Sequence, residues 1–285
     1  MKQKIIDAHM HPDFSEKALV QEASHSGVDF TLSGLSKDFK KYNIVKAIAL
    51  PEFVYYFTGE KITPAMRNDK IKKLVTENPD KFIGVCTLNP ANEIQDDINV
   101  LEQSIKKGVF KAIKLYLGYE PFYPNDKSCS PIYELAERNR IPVMFHTGDT
   151  WNKVRNARLK YTHPLNIDDV SVSFPKLKIV ICHMGNPWLM DATEVVYKNE
   201  NVYADLSGFF LGRASGIDKN YREMMRRKLL ECFYFCGYDK IMFGTDYPLV
   251  SHEFYIKFIN SLGFSKKELN KIFFENAIKV FNIKL

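Results

Sequence analysis

The hydrophobic pattern of this 285-residue chain alternates between two kinds of segment along its whole length. Short runs rich in β-branched residues are almost continuously apolar, which is typical of parallel strands covered on both faces. Eight such runs are predicted as strands: Ile5–Ala8, Val45–Leu50, Phe82–Cys86, Ala112–Leu115, Pro142–His146, Ile179–His183, Val202–Asp205 and Ile241–Gly244.

Segments with apolar residues three and four positions apart separate these strands and predict helices. Ser265 and Glu268 have the spacing of a capping box, which predicts that the last helix begins there and runs to about Phe281. The other predicted helices are Ser15–Ser26, Ala65–Thr76, Ile94–Lys106, Ile132–Asn139, Asn166–Phe174, Leu189–Lys198 and Lys219–Phe235.

Eight repeats of strand and helix predict a (β/α)8 TIM barrel that forms a single domain over residues 1–285. An open, doubly wound sheet is the alternative, but no G-x-G-x-x-G motif or P-loop follows the first strand. Two connections, Gly27–Asn43 and Gly148–His163, are longer than usual. We expect both to be candidate loops over a substrate.

Composition argues against nucleic-acid and membrane partners for this chain. The chain carries 40 basic and 34 acidic residues, for a net charge of +6, and has no strongly basic stripe, so a nucleic-acid partner is not expected. Its five cysteines include no C-x-x-C pair, which is typical of a reducing compartment. No apolar stretch reaches the roughly 18 residues of a membrane span. We expect a cytoplasmic protein with a small-molecule substrate and no membrane partner; a homodimer is compatible with the sequence.

Polar side chains end several of the predicted strands. His9 and His11 close the first strand with one residue between them, so both point to the same side. His146 and His183 close the fifth and sixth strands, and Asp246 follows the eighth, which barrel closure places beside the first. Each residue alone is also compatible with a hydrogen-bonded core histidine or a capping aspartate. Because barrel active sites lie at the carboxyl ends of strands, we expect the five side chains to converge on one divalent cation.

Other residues near strand ends have several interpretations. Lys114, on the fourth strand, could pair with a substrate carboxylate, be carbamylated between two metals, or form an ordinary ion pair. Trp188 could line a substrate pocket or pack at the rim of the barrel. Glu52, just past the second strand, is predicted to face solvent or to cap a helix. His163 and His252 lie in loop or helical segments, so neither is expected to bind a metal.

Taken in order, these motifs resemble the amidohydrolase superfamily, specifically its amidohydrolase-related branch. That branch includes decarboxylases of the aminocarboxymuconate-semialdehyde and resorcylate types beside hydrolases. The matching segments span nearly the whole chain: Asp7-Ala8-His9-Met10-His11, Ile113-Lys114-Leu115, Phe145-His146-Thr147-Gly148, Pro164-Leu165-Asn166-Ile167-Asp168-Asp169-Val170, His183-Met184-Gly185-Asn186-Pro187-Trp188, Asp205-Leu206-Ser207-Gly208, Gly244-Thr245-Asp246-Tyr247-Pro248, and Asn276-Ala277 with Phe281.

The resemblance implies a metal-dependent barrel. The residues that match its usual metal ligands are His9, His11, His146 and Asp246. His183 matches a histidine that binds metal in some members and acts on water or substrate in others. Lys114 stands where TatD-type nucleases carry glutamate, and Asn186 replaces a glycine common after the strand-six histidine. Imidazoles with a carboxylate suit Zn²⁺, although Mn²⁺, Co²⁺ and Fe²⁺ accept the same ligands.

We expect a metal-dependent hydrolase, in which metal-activated water attacks an ester, lactone or amide carbonyl of a small, carboxylate-bearing substrate. Asp246 would accept a proton from that water, and His183 would orient the nucleophile or polarise the substrate oxygen. The alternative is a metal-dependent, non-oxidative decarboxylase of an unsaturated or aromatic acid, because the same groups serve both reactions. A barrel that binds metal without turnover is a third hypothesis.

Overall fold

A computed structural model describes residues 2–52, 63–91 and 95–284. All eight predicted strands are present, and neighbouring strands pair in parallel in the order of the sequence. Their bounds are β1 Ile5–Met10, β2 Ile44–Ala49, β3 Phe82–Thr87, β4 Phe110–Leu115, β5 Val143–Phe145, β6 Ile179–Ile181, β7 Val202–Asp205 and β8 Ile241–Met242. The predicted TIM barrel is therefore confirmed.

A few backbone hydrogen bonds close the barrel where β8 returns to β1. The Ala8 N–H donates to the Phe243 carbonyl at 2.9 Å, and the His11 N–H donates to the Tyr247 carbonyl at 2.8 Å. Between them, the Asp246 N–H donates to the His9 carbonyl at 2.9 Å. The seam thus places the end of β1 directly beside the segment that follows β8.

Helices surround the strands, and those predicted from the sequence lie close to their expected positions. Their bounds are α1 Lys17–Ser26, α2 Leu32–Tyr42, α3 Pro64–Glu77, α4 Gln95–Lys106, α5 Ser130–Asn139, α6 Asn166–Ser173, α7 Leu189–Lys198, α8 Lys219–Cys236, α9 His252–Asn260, α10 Lys266–Asn270 and α11 Asn276–Phe281. A π-helical turn at Lys271–Glu275 joins α10 to α11, and the predicted capping box is formed by Ser265 and Glu268. Ile94, the predicted start of α4, lies outside the described residues.

The connection Gly27–Asn43 was expected to be a substrate-covering loop, and this prediction is wrong. Most of the connection forms the helix α2. The Thr31 hydroxyl caps this helix by accepting a hydrogen bond from the Gly34 N–H. Leu35 and Phe39 are buried in the core that the barrel shares with its helices. Apolar burial on one face therefore stabilises a segment whose glycine and serines are weak helix formers.

The amino-terminal end of the barrel is closed by α11. Ala277 and Phe281 pack in a cluster with inward-facing strand residues such as Ile6. Lys178, which precedes β6, donates to the Lys279 carbonyl at 2.7 Å and so places α11 at the start of the strands. The carboxyl ends of the strands are left as the open end of the barrel. None of the described helices is long and apolar enough to cross a membrane.

Candidate metal centre

Three ligand-type side chains meet at the seam of the barrel. His9 Nε2 lies 3.4 Å from Asp246 Oδ1, and His11 Nε2 lies 3.3 Å from the same oxygen. All three residues are buried, and their ligating atoms lie within 4.8 Å of one another. Asp246 has a left-handed backbone (φ 62°), which turns its carboxylate back towards the end of β1. The structure thus brings together three of the residues that the sequence suggests as metal ligands.

His146 and His183 form a second pair beside this triad. His146 Nδ1 lies 3.1 Å from His183 Nε2, and the His183 ring centre lies 4.7 Å from that of His9. Ligating atoms of His9, His183 and Asp205 form another group within 4.8 Å. His146 therefore reaches the triad through His183 and does not belong to either compact group.

Hydrogen bonds to Asp205 and Ser207 fix which ring nitrogen of His9 and of His183 carries a proton. The His9 Nδ1–H donates to Asp205 Oδ2 at 2.9 Å, which leaves His9 Nε2 with its lone pair. The Ser207 hydroxyl donates to Asp205 Oδ1 and therefore accepts from the His183 Nδ1–H at 2.9 Å. In the neutral form of each ring, these partners therefore leave the lone pair on Nε2, which is directed into the centre.

The facing nitrogens of His146 and His183 are both hydrogen-bond acceptors. The His146 Nε2–H donates to the Asp149 carbonyl at 3.0 Å, so its Nδ1 carries a lone pair. Burial lowers the pKa of His183 to about 3, and burial together with His183 lowers the pKa of His146 well below its ordinary value. Two neutral acceptors 3.1 Å apart repel each other unless a cation or proton lies close to both.

This donor set fits a divalent metal ion. Among the described residues, His9 Nε2 is buried with no hydrogen-bond partner. Burial alone would raise the pKa of Asp246, but the hydrogen bond from His11 holds it far below its usual range, so the carboxylate is ionised. Several imidazole lone pairs around one carboxylate are the ligands that Zn²⁺ and other first-row divalent metals accept. The orphaned nitrogen is the atom that such an ion would satisfy.

A cavity of about 300 Å³ opens onto these residues at the carboxyl ends of the strands. Lys114 lines it, is fully buried, and has no carboxylate within 4 Å among the described residues. Its Nζ lies 2.8 Å from Cys182 Sγ and 5.5 Å from the centre of the Tyr116 ring. The walls include apolar and aromatic side chains: Leu19, Tyr119, Trp151, Val154, Leu211 and Leu249.

The family follows from a match over nearly the whole chain. A model of the amidohydrolase family matches residues 6–283. The chain belongs to the amidohydrolase family. Among its relatives, the gamma-resorcylate decarboxylase of Polaromonas sp. strain JS666 is 23% identical, and the match covers 78% of this chain and 76% of that protein. The resemblance inferred from the sequence motifs is thereby confirmed.

Two solved structures illustrate the range of similar proteins. A dihydroxybenzoic acid decarboxylase from Polaromonas sp. JS666, with bound manganese and the inhibitor 2-nitroresorcinol, has a TM-score of 0.70 at 17% identity and covers 99% of this chain and 97% of its own. A probable 2-pyrone-4,6-dicarboxylic acid hydrolase from Acinetobacter baumannii, with bound citric acid, has a TM-score of 0.69 at 16% identity and covers 98% and 100%. At these identities the likeness shows the fold.

The structure differs from the expectation for Glu52 and from one of the two interpretations of Trp188. Glu52 was expected at the surface, but it is buried against the cavity with Oε2 3.1 Å from His11 Nδ1. It follows the carboxyl end of β2, which opens at the same end of the barrel as β1. Trp188 does not line the cavity; it precedes α7 and packs on His163, with ring centres 4.7 Å apart.

Sequence reasoning assigned no role to the residues that hold the imidazoles of this site. Asp205 closes β7, and its Oδ1 also accepts the His183 backbone N–H at 3.0 Å. Gly208 has a left-handed backbone, and a Cβ there would lie 2.6 Å from His183 Nδ1, so only glycine leaves room for that ring. The carboxylate at the end of β7 was the available indication, since it occupies the same strand position as the ligands.

Proposed function

We propose that this member of the amidohydrolase family is a metal-dependent, non-oxidative decarboxylase of an aromatic or unsaturated carboxylic acid. The observation that carries the proposal is the buried Lys114 ammonium, which faces the cavity without a carboxylate partner among the described residues. Burial of a charge without a partner of opposite sign destabilises a fold by roughly several kcal/mol. A substrate carboxylate would provide the missing partner. The similarity to decarboxylases supports this reading and reverses the order of preference that the sequence suggested.

His9, His11 and Asp246 would hold the metal, with His146 as the further ligand predicted from the sequence. The manganese in the similar decarboxylase structure supports a divalent ion, and Mn²⁺ joins Zn²⁺ as the ion to test first. When bound, such a cation supplies a Lewis acid that attracts and orients oxygen atoms of the substrate. The nature of the ion is left to measurement, because imidazole and carboxylate ligands accept both metals.

The side chains of the centre have separate roles in this reaction. Breaking the bond between carbon and the carboxylate releases CO2 and leaves an electron pair on that carbon, which then takes up one proton. Asp246 is ionised and lines the cavity, so it would accept a proton from a substrate hydroxyl or from water and deliver it to that carbon. His183 presents its unprotonated Nε2 and would accept a hydrogen bond from a substrate hydroxyl.

The cavity walls suit a small planar ligand. Tyr119 and Trp151 supply aromatic surfaces, and the aliphatic side chains of Leu19 and Leu211 lie among the remaining lining residues. A volume of about 300 Å³ accommodates a single ring with its substituents. Apolar walls would also exclude water, which strengthens the attraction between Lys114 and a carboxylate.

The test is a panel of hydroxylated benzoates and unsaturated acids, incubated with protein loaded with Mn²⁺ or with Zn²⁺. We expect CO2 release from at least one acid and, in D2O, a single deuterium on the carbon that lost the carboxylate. Asp246→Asn and His183→Asn should each lower kcat by roughly 10²- to 10⁴-fold. His163→Asn is the matched control, since His163 packs on Trp188 outside the cavity, and it should leave kcat unchanged.

A hydrolase is the second candidate, favoured by the likeness to a probable pyrone dicarboxylic acid hydrolase. In that case esters and lactones that bear a carboxylate would yield a new carboxylate labelled from ¹⁸O-water, without CO2. Absence of both products from the whole panel, together with stoichiometric metal, would contradict both enzymatic proposals and support a barrel that binds metal without turnover.

A further inference from the structure

A buried network of polar side chains lies behind the metal centre, on the outer side of the barrel seam. His252, the first residue of α9, is fully buried. Its Nε2 lies 3.1 Å from Asp7 Oδ2, and its Nδ1 lies 3.3 Å from Asp38 Oδ2. The Tyr247 ring stacks on the imidazole with ring centres 4.7 Å apart and an interplanar angle of 18°. His252 thus joins α9 and α2 to a carboxylate of β1.

Asp7 carries this connection across the seam. Its Oδ1 accepts the backbone N–H of His9 at 3.1 Å and the backbone N–H of Thr245 at 3.1 Å. Its Oδ2 accepts the Thr245 hydroxyl at 2.5 Å as well as the contact from His252. One buried carboxylate therefore binds the backbone of a candidate ligand, His9, and the backbone of the residue that precedes another, Asp246.

We propose that His252 is a positioning residue for the metal centre, which acts through Asp7 to fix the spacing between His9 and Asp246. The inference rests on the metal ligands assigned under the proposed function. His252 touches neither the cavity nor the candidate ligands' side chains, and nothing in the proposed reaction requires it to exchange a proton.

The weakness of the seam explains why such a connection is needed. β8 has only two residues, and it pairs with β7 but forms no regular ladder with β1. The distance of 3.4 Å between His9 Nε2 and Asp246 Oδ1 therefore depends on a few backbone bonds and on Asp7. Without its imidazole partner, the buried Asp7 carboxylate would draw in water or turn away, and either change would separate the two strand ends.

Two substitutions at position 252 separate the hydrogen bond from packing. His252→Phe keeps a ring for Tyr247 to stack on but removes both hydrogen bonds. His252→Gln retains an N–H donor at about the position of Nε2 and so preserves the bond to Asp7. Asn276→Leu is the matched control, because the Asn276 amide donates to the carbonyls of Tyr238 and Ile241, at the end of β8 opposite to the ligands.

The experiment is titration of each metal-free protein with Mn²⁺ by calorimetry, beside thermal unfolding of the same samples. We expect His252→Phe to weaken Mn²⁺ binding by roughly 10- to 100-fold, as for other residues that orient metal ligands, and His252→Gln to restore affinity to within a few-fold of the wild type. Asn276→Leu should lower Tm without changing the Mn²⁺ dissociation constant.

Unchanged Mn²⁺ affinity in His252→Phe would overturn the inference, and so would an equal loss in Asn276→Leu, because the effect would then follow stability alone. These outcomes are distinguishable from failure of the proposed function. Weakened metal binding in His252→Phe with no CO2 release from any acid would support the positioning role and refute the decarboxylase.

Discussion

Replacement of Lys114 by methionine tests whether this buried cation exists for the substrate. Methionine has nearly the same length and fits an apolar surrounding, so the substitution removes the charge and leaves little empty volume. The Lys114 side chain is buried from solvent and has no carboxylate within 4 Å among the described residues. The neighbours of its Nζ are a cysteine sulfur and the face of the Tyr116 ring. We therefore expect opposite effects on activity and on stability.

The magnitudes follow from these contacts. Loss of a charge-assisted hydrogen bond to the substrate costs about 1.5–3 kcal/mol, which lowers kcat/KM by roughly 10- to 150-fold. Replacement of a buried ion pair by packed apolar side chains is neutral or stabilises a fold by about 1–4 kcal/mol, and a similar gain is expected for a buried lysine that has no carboxylate partner to lose. The cation–π contact with Tyr116 offsets about 0.5–2 kcal/mol of that gain. A net gain near 1 kcal/mol corresponds to a rise in Tm of about 2–4 °C.

The assay compares kcat/KM for the best acid of the panel with Tm from thermal unfolding of the metal-free protein. Lys46→Met is the matched control, because Lys46 lies on β2, donates to the Pro79 carbonyl at 2.7 Å, and does not line the cavity. It should leave kcat/KM unchanged. The reasoning would be refuted if Lys114→Met lowered Tm while keeping wild-type kcat/KM, since Lys114 would then be a structural residue.

Three further predictions concern the metal and a buried acid. Chelation should lower Tm, and Mn²⁺ at about 100 times its dissociation constant should restore about 2.7 kcal/mol of stability; equal Tm with and without metal would contradict this. Asp205→Asn removes the negative charge and replaces one of the two acceptor oxygens, which bind His9 and the His183 backbone, with an NH2 donor. Calorimetry should therefore show roughly 10- to 100-fold weaker metal binding, whereas unchanged affinity would exclude a role in orienting these histidines. Burial raises the pKa of Glu120 from 4.5 to about 7 despite Arg67. The native state therefore holds a proton that the unfolded chain releases, and stability should fall by up to about 3 kcal/mol as pH rises from 4.5 to 7. Denaturant unfolding of Glu120→Gln should lose most of this slope; a slope that persisted would assign it to other groups.

The sequence predicted the strands and the convergent side chains because each is a local pattern. A buried parallel strand is an apolar run, and a ligand at its end is the polar residue that stops the run. Once eight runs imply a barrel, residues as distant as His9 and Asp246 necessarily approach each other. The helix α2 escaped this reasoning because Gly34 and its neighbouring serines weaken the local pattern, while Leu35 and Phe39 stabilise it by packing.

The path of the chain beyond a strand end could not be predicted in the same way. Glu52 and Trp188 both follow strands closely, yet Glu52 lies against the cavity and Trp188 packs on the outside. Trp151, in the connection after β5, lines the cavity instead. Tertiary contacts of each connection decide which side chain turns inward, and no short sequence pattern records them. The same groups serve hydrolysis and decarboxylation, so the motifs alone did not separate the two reactions.

Closure of one end of the barrel by α11 has a consequence for the order of events in a catalytic cycle. Among the described residues, α11 covers the amino-terminal end of the strands, so substrate and products are expected to pass through the opening at the carboxyl ends. Under the proposed reaction, CO2 is far smaller than the decarboxylated ring product and can leave the cavity while that product is still bound. The ring product has to dissociate before the next acid can bind. Release of the larger product would then limit the rate of turnover. Substitutions in the loops at the carboxyl ends of the strands could change this rate without disturbing the packing of α11 at the other end of the barrel.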